Sequence, residues 1–363
     1  MKTTSDVLAA LDLAPAEDAR PFHLTVGPVT VSVFCPGGLR ETLTEYFADV
    51  LLPASASPNP GALPVHLLPE QALDPAPQWS DWQREPGKTG RKDAVRDLLD
   101  GRLICKLRSG VTFLQAPGVA VAFGPLEDNV STVINFINTQ ILSACLRDGW
   151  QLCHAAAVTK GAQTLAISGL SGGGKSTSIL RMMDIDGARF MSNDRLLVRA
   201  GMPPQALGIP KHPRINPGTI LGNPRLHGLI PERQRAELAA MPAADLWSLE
   251  EKHDLIIPEI YGPDRMRLAG GLTDFWVLNW SHDSSTDTRL TPVTLAERPD
   301  LLSAIMKSPG PFHQHADGHF EPNGASPDPA AFLTALQGVQ VCEVSGRIDF
   351  DLLAARGRAL LDG

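Results

Sequence analysis

The sequence predicts an α/β protein, with an α+β region over residues 1–150 and a second domain over residues 151–363. Three observations carry this. The run "GRLICKLRSGVTFLQAPGVAVAFG" (residues 101–124) has apolar strands broken at Ser109-Gly110 and Ala116-Pro117-Gly118, the pattern of an antiparallel meander. The run "EDNVSTVINFINTQILSACLRDG" (127–149) is apolar at Val130, Val133, Ile134, Ile137, Ile141 and Leu142, the spacing of a helix over about 128–147. Finally, "LAISGLSGGGKSTSIL" (165–180) reads as an apolar strand, a glycine-rich turn and the start of a helix.

Taken in order, "FHLTVGPVTVSVFC" (22–35) alternates about Gly27-Pro28 and predicts a β-hairpin. Leu43, Phe47 and Leu51 give "LRETLTEYFADVLL" (39–52) helical spacing. A Pro-rich passage over about 53–92 reads as loop around the short strand "ALPVHLL". Past residue 150, "WQLCHAAAVTK" and "AQTLAISG" predict two strands joined at Lys160-Gly161, and the helical start of Asp128-Asn129 predicts a capped N-terminus upstream of them. "KSTSILRMMDIDG" predicts a short helix, and "ARFMSNDRLLV" a strand continuing through Val198. "GIPKHPRINPGTI" reads as a Pro-punctuated loop, "LTDFWVLNW" and "GVQVCEVSG" as strands, "AERPDLLSAIMKS" and the tail "RIDFDLLAARGRALL" as helices.

Bulk properties exclude several classes. A 363-residue chain with 43% hydrophobic and 20% charged residues suits an ordinary globular protein with sizeable cores. The net charge of -8, without a Lys/Arg-rich run, argues against a nucleic-acid partner. Apolar runs fall short of the ~20 residues that span a bilayer, so no membrane partner is expected and the reading is cytoplasmic. Five scattered cysteines form no disulfide framework and no CxxC metal pair.

Gly169 to Ser176 satisfies GxxxxGK[ST]. Glycines let successive backbone N–H groups turn inward around anionic oxygens, and the following helix adds its positive N-terminal end. The expected nucleotide contacts are Gly169, Ser171, Gly172, Gly173, Gly174, Lys175, Ser176 and Thr177, with Lys175 at the β/γ phosphates and Ser176 on Mg²⁺. "ARFMSND" puts Asp194 at the end of the next predicted strand, after a short crossover that brings it beside the metal and γ phosphate. The alternative is an Asn-Asp turn that caps a strand. His154, in "LCHAAAV", is either a core histidine or a site residue on the strand entering the loop region.

Together, "HAAAVTKGAQTLAISGLSGGGKSTSILRMMDIDGARFMSNDRLLV" (154–198) resembles the catalytic half of the HPr kinase/phosphorylase family. That family runs from His and a small residue through a strand, GxSGxGKS and a helix to a strand ending in Asp-Asp. The N-terminal helix, the meander and "GIPKHPRINPGTI" are more similar to divergent HPr-kinase-related kinases, which include kinases of a peptide serine. The resemblance implies a mixed-sheet, phosphoenolpyruvate-carboxykinase-like P-loop kinase core, ATP and Mg²⁺, and phosphoryl transfer to a serine-type hydroxyl of a protein or peptide. It makes Asp194 the catalytic carboxylate and a metal ligand with Ser176, and adds Lys175 and His154 to the catalytic set. Relatives oligomerise, so a homo-oligomer is a further expectation. Two departures stand out: Asn193-Asp194 replaces Asp-Asp, and "GIPKHPRINPGTI" replaces the loop after Glu-Val-Arg-Gly. The expectation is therefore kinase chemistry, without extension to phosphorylase activity or to HPr as acceptor. A nucleotide sensor or assembly protein without transfer, and a small-molecule kinase, are the alternatives.

Lys211 and Arg214 lie where cations would stabilise a transferring phosphoryl group, or else form a solvated basic loop. Lys252, in "LEEKHD", is a further substrate-contact candidate against the reading of a plain charged face. "DIDG" and "EKHD" echo GTPase motifs, but the first follows a helix and the second has Glu where an amide is expected. His313, His315 and His319 in "FHQHADGH" have metal-ligand spacing; without a further Cys or downstream ligand, the expectation is a solvated loop.

Overall fold

The computed structural model describes the chain apart from residues 54, 57–59, 85–88, 170–172 and 250. Ser171 and Gly172 of the expected phosphate cradle thus lie outside the described residues. Two compact units emerge: Met1–Gly149 with Ser308–Pro327, and Trp150–Lys307 with Asp328–Gly363.

The first unit is built on an eight-stranded sheet: β1 (Phe22–Val26), β2 (Val29–Phe34), β3 (Leu63–Pro69), β4 (Ser80–Asp81), β5 (Asp93–Asp97), β6 (Arg102–Lys106), β7 (Thr112–Ala116) and β8 (Val119–Gly124). The order is β1-β2-β3-β8-β7-β6-β5-β4. The hairpin pairs Val26 with Val29, and the meander of β6, β7 and β8 is antiparallel, both as the alternation predicts. The expected helix over 39–52 is displaced: it spans Gly37–Tyr46, and a 3₁₀ turn follows at Ala48–Val50. The helix Val130–Arg147 buries Val133, Ile134, Ile137 and Ile141 as its spacing requires. Its start is not capped by a side chain, contrary to expectation, because Asn129 Nδ2 instead donates to the Pro125 carbonyl at 2.8 Å.

Ser308–Pro327 joins this unit for identifiable reasons. Phe312 packs against Phe113 and Phe136, with ring centroids 5.2 and 5.9 Å away. The buried Arg102 guanidinium donates to the carbonyls of both Pro311 and Glu321.

In the second unit the strands are β9 (Gln151–Cys153), β10 (Ala155–Lys160), β11 (Gln163–Gly169), β12 (Arg189–Ser192), β13 (Leu196–Arg199) and β14 (Gln205–Gly208). They continue with β15 (Arg214–Ile215), β16 (His253–Asp254), β17 (Ala269–Gly271), β18 (Asp274–Ser281), β19 (Arg289–Pro292) and β20 (Gln340–Arg347). Six form the sheet β12-β10-β11-β18-β20-β19, parallel only across β11, β18 and β20. Four form the antiparallel sheet β17-β14-β13-β9, and β15 pairs with β16 as a ribbon. The protein is therefore α/β with mixed sheets.

The six-stranded sheet is covered on both faces, and its strands alternate accordingly. Ala156, Val158, Leu165, Ile167, Trp276 and Leu278 enter one core with the helices Lys175–Met183 and Phe350–Asp362. Ala155, Ala157, Ala166, Phe275 and Val277 enter the other with the helix Pro299–Ile305 and part of Pro329–Ala335. Gly357 lets the first two helices meet closely, since a Cβ there would lie 2.1 Å from Met182 Sδ. Among the described residues, no helix is long and apolar enough to cross a membrane.

Two single strands of the sequence reading are each two strands. "WQLCHAAAVTK" breaks at His154 and "ARFMSNDRLLV" breaks at Asn193–Arg195. In both, the first and second halves belong to different sheets, since β9 and β13 pair in the small sheet while β10 and β12 pair in the large one. A continuous strand cannot serve both sheets, so the backbone turns where it crosses. Likewise "GIPKHPRINPGTI" is more than loop, holding β15 and the short helix Pro217–Leu221.

Candidate active site

The breaks in the two strands converge on one point. β10 runs antiparallel to β11, with Ala155 opposite Ser168, so His154 stands at the end of β11, where the glycine turn begins. β12 flanks β10 on the other side, with Ala157 opposite Ser192, and therefore delivers Asn193 and Asp194 toward the same level. The register slips by one residue at Met191, a bulge that re-aims the strand as it leaves the sheet. Gly208 makes room for this bend: a Cβ there would lie 1.8 Å from the Met191 carbonyl oxygen. Ser192 Oγ closes the turn by donating to the Arg195 carbonyl at 2.7 Å.

His154 Nε2 lies 3.1 Å from Asp194 Oδ1, and Lys307 Nζ donates to Asp194 Oδ2 at 2.9 Å. Lys307 follows the helix Pro299–Ile305 and arrives by backbone pairing. His154 N donates to the Ile305 carbonyl, and Lys307 N to that of Leu152. Ser168 Oγ lies 2.9 Å from the His154 carbonyl and 2.6 Å from that of Ala304, and its single proton is shared between the two segments.

Charge sets the protonation of this group. Burial opposes ionisation of Asp194, but the hydrogen bonds and charges of His154 and Lys307 outweigh it and hold the carboxyl well below the usual range. The hydrogen bond to Asp194 favours the His154 imidazolium, yet burial with the ammonium groups of Lys175 and Lys307 lowers its pKa and keeps the ring neutral near pH 7. Lys211 is pushed down to about 7, chiefly by burial and then by Arg195, with Arg214 and Lys307 adding repulsion and Asp194 opposing.

The phosphate-loop context expected from the sequence is present: β11 ends at Gly169 and the helix begins at Lys175. Gly174 has φ +88°, and a Cβ there would lie 2.7 Å from the Phe350 ring. Trp280, two residues beyond the Leu278 that faces Gly169 across the sheet, donates Nε1–H to the Gly173 carbonyl at 2.9 Å and packs edge-on against Phe350. Thr177 Oγ1 lies 2.8 Å from Thr219 Oγ1 on the helix Pro217–Leu221. Ser176 is half-buried in the first turn of its helix.

The residues suit a polyphosphate anion with a divalent metal. Gly174 adopts a backbone that disfavours side chains, Lys175 and Lys307 act on His154, and Arg195 and Lys307 act together with Asp194 on Lys211, so positive charge gathers near the His154–Asp194 pair. Buried Asn193 Oδ1 and Asn216 Oδ1 have no hydrogen-bond partner among the described residues, as expected of acceptors beside a polar ligand. Arg214 acts more remotely, pairing with Asp254 at 2.9 Å and donating to the Lys252 carbonyl. Lys252 is exposed on that ribbon.

The site thus brings together His154, Lys175, Asp194 and Lys211 from the sequence-derived set, with Arg214 at its margin and Lys252 apart from it. Lys307, Arg195, Trp280 and Thr219 join this neighbourhood without a place in that set. Arg195 was visible as the neighbour of Asp194; Lys307, at the end of a helix 113 residues away, carried no local signal.

No known family model matches the chain, and no curated protein matches it. Among solved structures, the Hpr(Ser) kinase/phosphatase from Coxiella burnetii is similar at 11% identity, over 59% of this chain and 99% of that one, with a TM-score of 0.30. An overlap this loose carries no argument.

Proposed function

We propose that the second unit is a kinase core of the HPr kinase and phosphoenolpyruvate-carboxykinase type, using ATP and Mg²⁺ to phosphorylate a serine-type hydroxyl of a protein or peptide. One observation carries the reading: a carboxylate partnered by a histidine and a lysine follows β12 and stands level with the end of β11, the strand that leads into the GxxxxGK[ST] segment. Lys175 and the first-turn amides would hold the β and γ phosphates. Ser176 and Asp194 would hold Mg²⁺, which when bound neutralises charge between the β and γ phosphates. Asp194, as a weak base, orients the acceptor hydroxyl; a loose transition state asks for little more. Lys307 keeps that carboxylate charged, and Lys211 adds positive charge where the phosphoryl group passes. Assembly as a homo-oligomer belongs to the same reading.

A second reading is a nucleotide sensor without transfer, and one observation favours it. Both Asp194 oxygens already have partners, Oδ1 in His154 and Oδ2 in Lys307, so a metal must share an oxygen with one of them or displace it. Incubation with γ-labelled ATP and a cell lysate separates the readings. A labelled protein or peptide band supports the kinase, a labelled metabolite supports a small-molecule kinase, and no label supports the sensor. Asp194→Asn is expected to abolish labelling and leave ATP binding within a few-fold; full labelling by that variant would refute the assignment.

A further inference from the structure

The first unit holds a second cluster of ligand-type side chains, distant in sequence from the phosphate loop. His313, His315 and Glu321 each offer one donor atom, and these atoms all lie within 4.8 Å of one another. His313 is 5% exposed, and its Nδ1 has no hydrogen-bond partner among the described residues. A buried imidazole nitrogen without a partner costs free energy unless something binds it. His315 Nε2 lies 2.9 Å from Glu321 Oε2, and the two imidazole rings meet edge-on with centroids 4.6 Å apart.

The backbone brings these residues together as the two arms of a small hairpin. Glu321 N donates to the His313 carbonyl and His315 N to that of His319, with Gln314 bridging Phe320. Phe312 anchors one arm in the aromatic core beside Phe113 and Phe136. Arg102 clamps both arms through the carbonyls of Pro311 and Glu321. The donors therefore sit on a braced loop rather than a loose one. Glu321 supplies the downstream ligand that the histidine spacing alone lacks. His319, the third histidine of the motif, is turned away: it pairs with Asp317 at 3.2 Å and is 84% exposed.

We infer that His313, His315 and Glu321 form a binding site for a divalent borderline cation of the Zn²⁺ class. Two imidazoles and one carboxylate are a ligand set that such ions favour over Mg²⁺ or Ca²⁺, which prefer oxygen. Three protein ligands leave a fourth tetrahedral position for water, and the half-exposed His315 leaves the site open to solvent. Donors around a tetrahedral Zn²⁺ lie roughly 3.3 Å apart, so binding needs side-chain shifts of about an ångström and replaces the His315–Glu321 hydrogen bond with two metal bonds. Arg147 donates to the Gln314 carbonyl at 3.3 Å and Arg102 to that of Glu321 at 3.1 Å; both oppose bound positive charge, and the Glu321 carboxylate counters them.

The test uses the tag-free 363-residue chain, stripped with chelator and titrated with Zn²⁺ against a chromophoric competitor, without nucleotide. One Zn²⁺ per chain is expected. His315→Ala and Glu321→Gln should each weaken it at least about ten-fold, with unchanged circular dichroism; both positions avoid emptying the buried His313 site. Asp194→Asn should retain the ion. Co²⁺ should give a visible ligand-field spectrum that His315→Ala abolishes. The inference is overturned if the wild type retains no Zn²⁺, if both loop variants bind like wild type, or if Asp194→Asn removes the ion.

Discussion

Replacing Lys211 by Arg tests whether the half-buried cation that feels Asp194 holds phosphate. With its pKa at about 7, the Lys211 ammonium is largely charged at about pH 6 and largely neutral at about pH 8. If only the charged form binds, the apparent dissociation constant scales inversely with the charged fraction. That fraction falls from about nine-tenths to about one-tenth over this interval, so affinity for Mg-ATP should weaken about ten-fold. Arginine stays protonated throughout, and the Lys211→Arg protein should lack this loss. Titration of the nucleotide's own phosphate is common to both proteins, so the difference between their pH slopes isolates the side chain. Calorimetric titration at about pH 6, 7 and 8 measures it, with thermal melts showing that both proteins are folded. Equal slopes would refute a phosphate-binding role for Lys211. The same shift has a stability consequence. Between pH about 7 and 10.5 the unfolded chain keeps a proton that the native one has lost, so the contribution of Lys211 to stability rises with pH across that window.

Lys307→Met should cost about 1 kcal/mol in stability, a modest value because Asp194 is half-exposed and keeps His154. It should also raise the His154 pKa, by removing a repelling ammonium, and imidazole NMR titration would detect that; an unmoved or lowered value contradicts the charge assignment. The depressed Asp194 value stabilises the fold above the ordinary carboxylate range and that stabilisation is lost as pH falls below about 4, so acid unfolding of Lys307→Met should begin at higher pH. Trp280→Phe keeps the ring against Phe350 but strips the donor from the Gly173 carbonyl, and ATP should bind about five-fold more weakly, from a loss of about 1 kcal/mol. Gly174→Ala forces a Cβ into the Phe350 ring at positive φ, and should lower stability by about 1–3 kcal/mol; Gly174→Ala with Phe350→Ala should recover only the part due to the clash.

Much of this was legible in the residue order because its causes are local. Alternation in residues 22–35 and 101–124 marks strands with one buried face, and Gly27 and Gly118 supply the positive φ their turns need. The strand ending at Gly169 and the helix starting at Lys175 are legible for the same reason: the pattern that marks them is contiguous in the chain. Local pattern misled at "WQLCHAAAVTK", where a single His154 marks the change of sheet within a buried apolar run, and at "ARFMSNDRLLV", where the polar Ser192–Arg195 interruption lies between two buried strands of different sheets. Each half is buried against its own sheet, and residue order alone does not say that the two halves part.

By itself, then, the sequence determined the α/β class, the strand–glycine turn–helix unit, and Asp194 and His154 as residues worth bringing together. Tertiary structure alone decided that they do meet, that Lys307 joins them, and that Glu321 completes the pair His313 and His315 where His319 does not. Spacing along a chain specifies contacts only within a helix turn or a strand pair. Contacts across 40 or 113 residues depend on which sheet each strand enters, and that is settled by non-local packing such as the close approach of Gly208 to Met191 and the backbone pairing of His154 with Ile305.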